Sequence, residues 1–121
     1  RHLNLEGNTI TQKMINLSRW VSSEVIICVT KGAEGAQLLY KGEMYSNSGY
    51  QVQVADTVGA GDSFLATLCF YLLNKYVPQH ALDQACAMGS LVASKEGAIP
   101  IITPEEIETL IREARSTNLD R

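Results

Sequence analysis

The chain has 121 residues, of which 45% are apolar and 19% charged, an ordinary globular composition for one domain with a modest core. Its formal net charge of −3 excludes a basic nucleic-acid footprint, and no apolar run approaches the ~20 residues of a membrane span. The polar residues 1–9 contain no apolar signal-peptide segment either.

Over residues 9–21, Ile10, Met14, Leu17, Trp20 and Val21 recur at helical spacing, which predicts an amphipathic helix closed by Ser22-Ser23. Residues 25–29 are a compact, largely β-branched run and read as a buried strand. Lys31-Gly32-Ala33-Glu34-Gly35 predicts a turn into a second strand, 36–40. Lys41-Gly42 turns again into residues 43–45, and Asn47-Ser48-Gly49 makes one more loop. Residues 50–54 alternate, as a half-exposed strand does. They lead into Asp56-Thr57-Val58-Gly59-Ala60-Gly61-Asp62-Ser63-Phe64, after which an apolar helical pattern continues to Tyr76.

Pro78 starts a new segment, and residues 81–95 are Ala-rich and helical, with Leu82, Ala85, Met88 or Gly89, and Val92 on one face. The small residues Ala85, Ala87, Gly89, Ser90 and Ala93 predict close packing against a neighbour, and Glu96-Gly97-Ala98 ends the helix. Thr103-Pro104-Glu105-Glu106 combines an N-cap Thr, a Pro at the first position and a Glu that completes a capping box. The helix it opens carries Ile107, Leu110, Ile111 and Ala114 and is expected to fray from Ser116. Helices 60–76 and 80–95 are expected to pack on the sheet that contains 25–29.

Cys28, Cys69 and Cys86 are odd in number, lack C-x-x-C spacing and lie in apolar runs. They read as buried, reduced thiols, which implies a cytoplasmic location. His2 and His80 are far apart in polar surroundings, so zinc is not expected.

The nonapeptide 56–64 is the most informative feature. A glycine turn runs into a helix start, where unpaired N–H groups and partial positive charge attract anions such as phosphate. Gly59 and Gly61 lack Cβ, so a phosphate can approach those amides closely. Asp62 reads first as a helix-start carboxylate that suits the dipole. Beside a phosphate it would only repel, unless it accepts a proton from an attacking hydroxyl. The chemistry this points to is phosphoryl transfer.

The nonapeptide resembles the second signature of the ribokinase/PfkB family of carbohydrate kinases, D-T-x-G-A-G-D-x-F leading into a helix. Val29-Thr30-Lys31-Gly32-Ala33-Glu34-Gly35-Ala36 is similar to the family's V-T-x-G-x-x-G-A strand-turn-strand. Residues 85–98 resemble its Ala-rich helix ending in x-x-G-A, and the Thr-Pro-Glu-Glu helix stands where its closing helix would. The likeness runs from about residue 12 to residue 115.

The resemblance implies an α/β fold, the C-terminal portion of a three-layer α/β/α ribokinase-like sandwich. Residues 1–121 would form the nucleotide-binding part of one kinase domain. The N-terminal part, a small β lid, a glycine-rich sugar signature and an N-x-x-E motif near the metal would belong to the missing portion. Asn8 is followed by Thr9, Ile10 and Thr11, so no N-x-x-E precedes the first helix. Such a piece alone is expected to be inactive. With a sheet edge and an apolar face uncovered, it is expected to self-associate as a homo-oligomer.

By the same resemblance, Asp62 is the general base toward the substrate hydroxyl, and Gly59, Ala60, Gly61 and the Asp62 amide form an anion hole. Thr30, Lys31, Gly32, Ala33, Glu34 and Gly35, with Gly61 and Cys86, would meet ATP. Lys31 also reads as a solvated lysine, 31–35 as a plain hairpin loop and Cys86 as a packed core thiol. Asp56 and the carbonyls of Val58, Val92, Lys95 and Gly97 match a monovalent-cation site, K+ in some relatives. Asp56 could equally cap its own turn. Mg2+ is expected with the nucleotide, held by phosphates, waters and the missing segment.

The implied function is ATP-dependent phosphoryl transfer to a sugar hydroxyl, with a fructokinase-like or ribokinase-like substrate. A nucleoside, a sugar phosphate or a vitamin precursor is the alternative acceptor. A non-catalytic nucleotide-binding or assembly module is the alternative of another class; the intact Asp62 and G-A-G turn argue against it.

Overall fold

Short, largely apolar runs within residues 27–47, separated by glycine turns, form a three-stranded antiparallel sheet in the computed structural model, which describes residues 12–15, 26–95 and 101–119. Strand β1 is Ile27–Thr30, β2 Ala36–Tyr40 and β3 Glu43–Asn47, in that spatial order. Ile27 pairs with Leu39 and Thr30 with Ala36; Ala36 also pairs with Asn47, and Tyr40 with Glu43. Lys41 and Gly42 both have positive φ, 52° and 80°, as the two central residues of a type I′ hairpin turn require.

The period of two sorts the strand residues onto two covered faces. Ala36 and Leu38, with Cys28, Tyr40 and Tyr45, face the main core. Ile27 and Leu39, with Val29 and Met44, face the other way, onto Met14 of a helical stretch at residues 12–15. Met14 is 2% exposed. The rest of the predicted 9–21 helix lies outside the described residues, as do Val25 and the predicted terminus Glu96-Gly97-Ala98.

Three helices complete the order: α1 Ala60–Leu73, α2 Pro78–Ser94 and α3 Pro104–Leu119. Helix α2 is the hub. It packs on β2 and β3, while α1 and α3 pack on it. Its alanines 81, 85 and 87 and Leu82 are fully buried, so small side chains let neighbours approach closely. Truncating Leu82 to Ala would cost about 2–5 kcal/mol.

The expectation that both 60–76 and 80–95 sit on the sheet is therefore corrected. Among the described residues only α2 has a substantial sheet contact, and α1 reaches the common core through Phe64 and Leu68. Helix α1 also ends three residues early. Tyr76 N–H bonds to the Tyr71 carbonyl and Lys75 N–H to the Leu72 carbonyl, a Schellman ending with Lys75 at φ 65°. A glycine usually marks this position, and none is there to be read.

Residues 50–54 are not a strand, because no described strand lies beside them to take their hydrogen bonds. Tyr50 turns into the core, and Val54 stays exposed. Cys69 is exposed, unlike buried Cys86 and half-buried Cys28. Apolar residues surround α1 on nearly every side, so sequence spacing does not say which face is covered. Helix α3 runs on past Ser116 to Leu119. Its capping box forms as expected: Thr103 N–H and Oγ–H donate to Glu106 Oε1, and Glu106 N–H donates to Thr103 Oγ1.

Candidate functional site

The nonapeptide builds an open helix start. Asp56 Oδ1 accepts the Val58 N–H at 2.9 Å, so the carboxylate shapes its own turn. Gly59 follows with φ 81°, a left-handed conformation that disfavours a side chain, and opens α1 as its N-cap. No side chain caps the helix. The Ala60 N–H donates to the Thr57 carbonyl at 3.1 Å and is already engaged. Among the described residues the Gly61 and Asp62 amides have no backbone acceptor, so an anion would draw on these two. A Cβ at Gly61 would meet nothing within 4 Å, and Asp62 is exposed.

Helix α2 seats this turn from behind. A Cβ at Gly89 would lie 3.4 Å from the Ala60 carbonyl and 3.6 Å from Phe64 Cβ. The close packing expected of α2's small residues thus falls at the start of the candidate phosphate helix. At the end of α2, the Ala93 carbonyl accepts N–H bonds from both Ala55 and Asp56, at 2.8 and 3.0 Å. The segments carrying Asp56 and Val58 on one side, and Val92 and Lys95 on the other, therefore lie together. The Val92 carbonyl also takes the Lys95 N–H. Carbonyl oxygens and one carboxylate suit a hard monovalent cation; Gly97 is outside the described residues. Among those residues no group of three His, Cys, Asp or Glu side chains gathers as a metal site.

The second candidate loop follows β1. Thr30, Gly32, Ala33 and Glu34 are exposed and Lys31 is half-buried, over a single turn of 3-10 helix. Gly32 has φ 58° with open space around it, whereas Gly35 is buried against Asn47 and Gly49. Gly35 is explained by packing alone. Cys86 lies in the main core, 7% exposed, and burial followed by Asp83 and Cys28 pushes its thiol up to about 12. The packed-thiol reading describes its burial.

One polar network was not anticipated. Asn47 Nδ2 donates to Tyr50 Oη and to Asp83 Oδ1, which also accepts from Gln79 Nε2. Asn47, Tyr50 and Asp83 border a cleft of about 550 Å3 with Ile111 and Arg115, a cleft that includes no residue of the nonapeptide. Burial, then nearby Asp83, raises the Tyr50 hydroxyl to about 12, although the Asn47 bond opposes this. His80 stacks on Tyr76 with ring centroids 5.3 Å apart.

A sequence profile described as pfkB family carbohydrate kinase matches residues 7–105. The chain belongs to this family. It is 35% identical over 105 residues to a fructokinase of Solanum tuberosum, covering 78% of this chain and 31% of that protein. It is 33% identical over 88 residues to an ATP-dependent ribose-1-phosphate kinase of Halopiger xanaduensis, covering 73% and 30%. The ribokinase of Arabidopsis thaliana, solved with ribose and ATP, superposes with a TM-score of 0.73 at 26% identity, covering 86% and 35%. The chain thus spans about a third of the length of these relatives, and its fold is part of the ribokinase-like α/β fold. No described helix is long and apolar enough to cross a membrane.

Proposed function

We propose that this chain is the nucleotide-binding part of an ATP-dependent sugar kinase. The observation that carries the reading is the open start of α1, where two unengaged amides flank a side chain-free Gly61 and an exposed Asp62. Among the described residues nothing pairs with the Asp62 carboxylate. It is available to accept a proton. In the proposed step Asp62 takes the proton of the acceptor hydroxyl, the oxygen attacks the γ-phosphorus, and ADP leaves. The Gly61 and Asp62 amides, with the helix dipole, stabilise the charge on the transferring group.

Thr30, Gly32 and the exposed backbone of the 32–34 turn are the remaining nucleotide contacts in this reading, with Gly35 as their anchor. With ATP bound, Mg2+ would supply charge neutralisation across the phosphates, and no described side chain is assigned to it. A monovalent cation would sit between the Asp56 turn and the end of α2.

The acceptor is a sugar hydroxyl, as the fructokinase and ribokinase relatives suggest. A sugar phosphate is the second reading, favoured by the likeness to the ribose-1-phosphate kinase. The test is ADP release from Mg·ATP by a full-length polypeptide carrying these residues, with fructose, ribose, ribose 1-phosphate and adenosine in parallel. Strong release with fructose or ribose supports the first reading. Release only with ribose 1-phosphate supports the second, and only with adenosine a nucleoside kinase.

A further inference from the structure

Helix α2 ends beside the candidate site, and its last carbonyls need partners. The Leu91 carbonyl takes the Ser94 hydroxyl, Val92 the Lys95 amide, and Ala93 the amides of Ala55 and Asp56. The segment entering the phosphate turn is thus the cap of α2. Asp56 is bonded to the end of α2 through the Ala93 carbonyl and, through its own carboxylate, to Val58 beside Gly59.

What holds the helix end is the next residue. Lys95 leaves the helix extended, at φ −114° and ψ 149°, and its side chain crosses to the start of α3. Its Nζ lies 2.6 Å from Glu106 Oε2 and donates to the Ile101 carbonyl at 3.0 Å. Glu106 uses its other oxygen, Oε1, for the Thr103 capping box. One carboxylate therefore joins two helix ends. Both side chains are about one-third exposed, 33% and 34%, so the pair matters here as geometry rather than as bulk stability.

We propose that Lys95 is a positioning residue: with Glu106 it forms a strut that fixes the end of α2, so that the Ala93 carbonyl holds Ala55 and Asp56 and thereby sets the Gly59–Asp62 turn. The consequence for catalysis rests on the kinase reading above; the strut itself does not. The Lys95 side chain contacts Glu106 and the Ile101 carbonyl and would act through the Ala93 carbonyl.

Amide hydrogen exchange on this chain tests the strut. Lys95→Met keeps the stem and removes the charge, while Glu106→Gln keeps an Oε1 for the capping box and breaks the ion pair. Each variant should speed exchange at the Ala55 and Asp56 amides several-fold, with the Leu82 amide unchanged as core reporter. The double variant should go no further than Lys95→Met alone, because the ion pair is already lost there together with the Ile101 bond. Lys95→Arg should restore protection.

Unchanged exchange at Ala55 and Asp56 overturns the proposal. So does a parallel rise at Leu82, which would mean general loosening of the fold. In an active full-length polypeptide, Lys95→Met should lower kcat while leaving the acceptor KM in place; an equal loss from a raised acceptor KM alone would contradict positioning. If the exchange result holds and the unaltered polypeptide transfers no phosphate, the kinase reading fails and the strut stands.

Discussion

Gly35 and Gly49 lie back to back, both at φ 89°, and a Cβ on either would strike the other's loop. At Gly35 it would meet the Asn47 carbonyl and the Gly49 amide; at Gly49 it would meet the Ala33 carbonyl. This contact ties the 32–34 turn to the end of β3. Gly32, in the same turn, has positive φ but free space around it. Gly32→Ala should therefore cost only the ~1–2 kcal/mol of a left-handed alanine. Gly35→Ala should cost clearly more, because backbone must move. Denaturant unfolding of the two variants measures the difference.

Gly61 gives the opposite expectation. It is in the first turn of α1 with nothing near its missing Cβ. Gly61→Ala should raise stability by about 0.5–1 kcal/mol, as alanine does within a helix. Its methyl would also occupy the approach to the Gly61 and Asp62 amides. ATP binding, read by calorimetry on a full-length polypeptide, should weaken by about tenfold or more, ~1.4 kcal/mol. Higher melting temperature with unchanged ATP affinity would remove Gly61 from the site.

Lys75 ends α1 in the left-handed region at φ 65°. Lys75→Gly should relieve part of the ~1–2 kcal/mol that a side chain costs there, offset by the greater freedom of glycine when unfolded. The net gain expected is up to about 1 kcal/mol, seen as a higher denaturant midpoint at unchanged slope.

The buried thiols set an alkaline limit. Burial pushes Cys28 up to about 11 and, with Asp83 and Cys28 nearby, Cys86 up to about 12, from an ordinary value of 9.0. The unfolded chain releases these protons first. Their contribution is therefore complete below pH 9 and falls away as pH rises through about 11 and 12. Unfolding midpoints should drop over that window, and the slope should be shallower in Cys86→Ala.

Much of this molecule is legible in its residues. The Thr103–Glu106 capping box, the β2 strand and the Lys41-Gly42 hairpin all stand where local chemistry places them, because each depends on neighbours within a few positions. What was not legible depends on contacts across the chain. Nothing in residues 50–54 says whether a partner strand is present, and nothing in α1 says which of its apolar faces is covered, so Cys69 was misplaced. At the candidate site, the glycine turn and Asp62 could be picked out by chemistry. The Gly89 contact and the doubly bonded Ala93 carbonyl could not, since each joins segments about 25 to 40 positions apart.

The central claim is that the carboxylate at the start of α1 acts on an acceptor hydroxyl. The most direct measurement follows ADP release from Mg·ATP by a full-length polypeptide, with and without sugar, for Asp62 and for Asp62→Asn. The asparagine keeps the size of the side chain and removes its basicity. Acceptor-dependent release that falls by ~10²–10⁴-fold in the variant, with ATP affinity retained, is the predicted result. Sugar-dependent release that continues undiminished in Asp62→Asn would contradict the account.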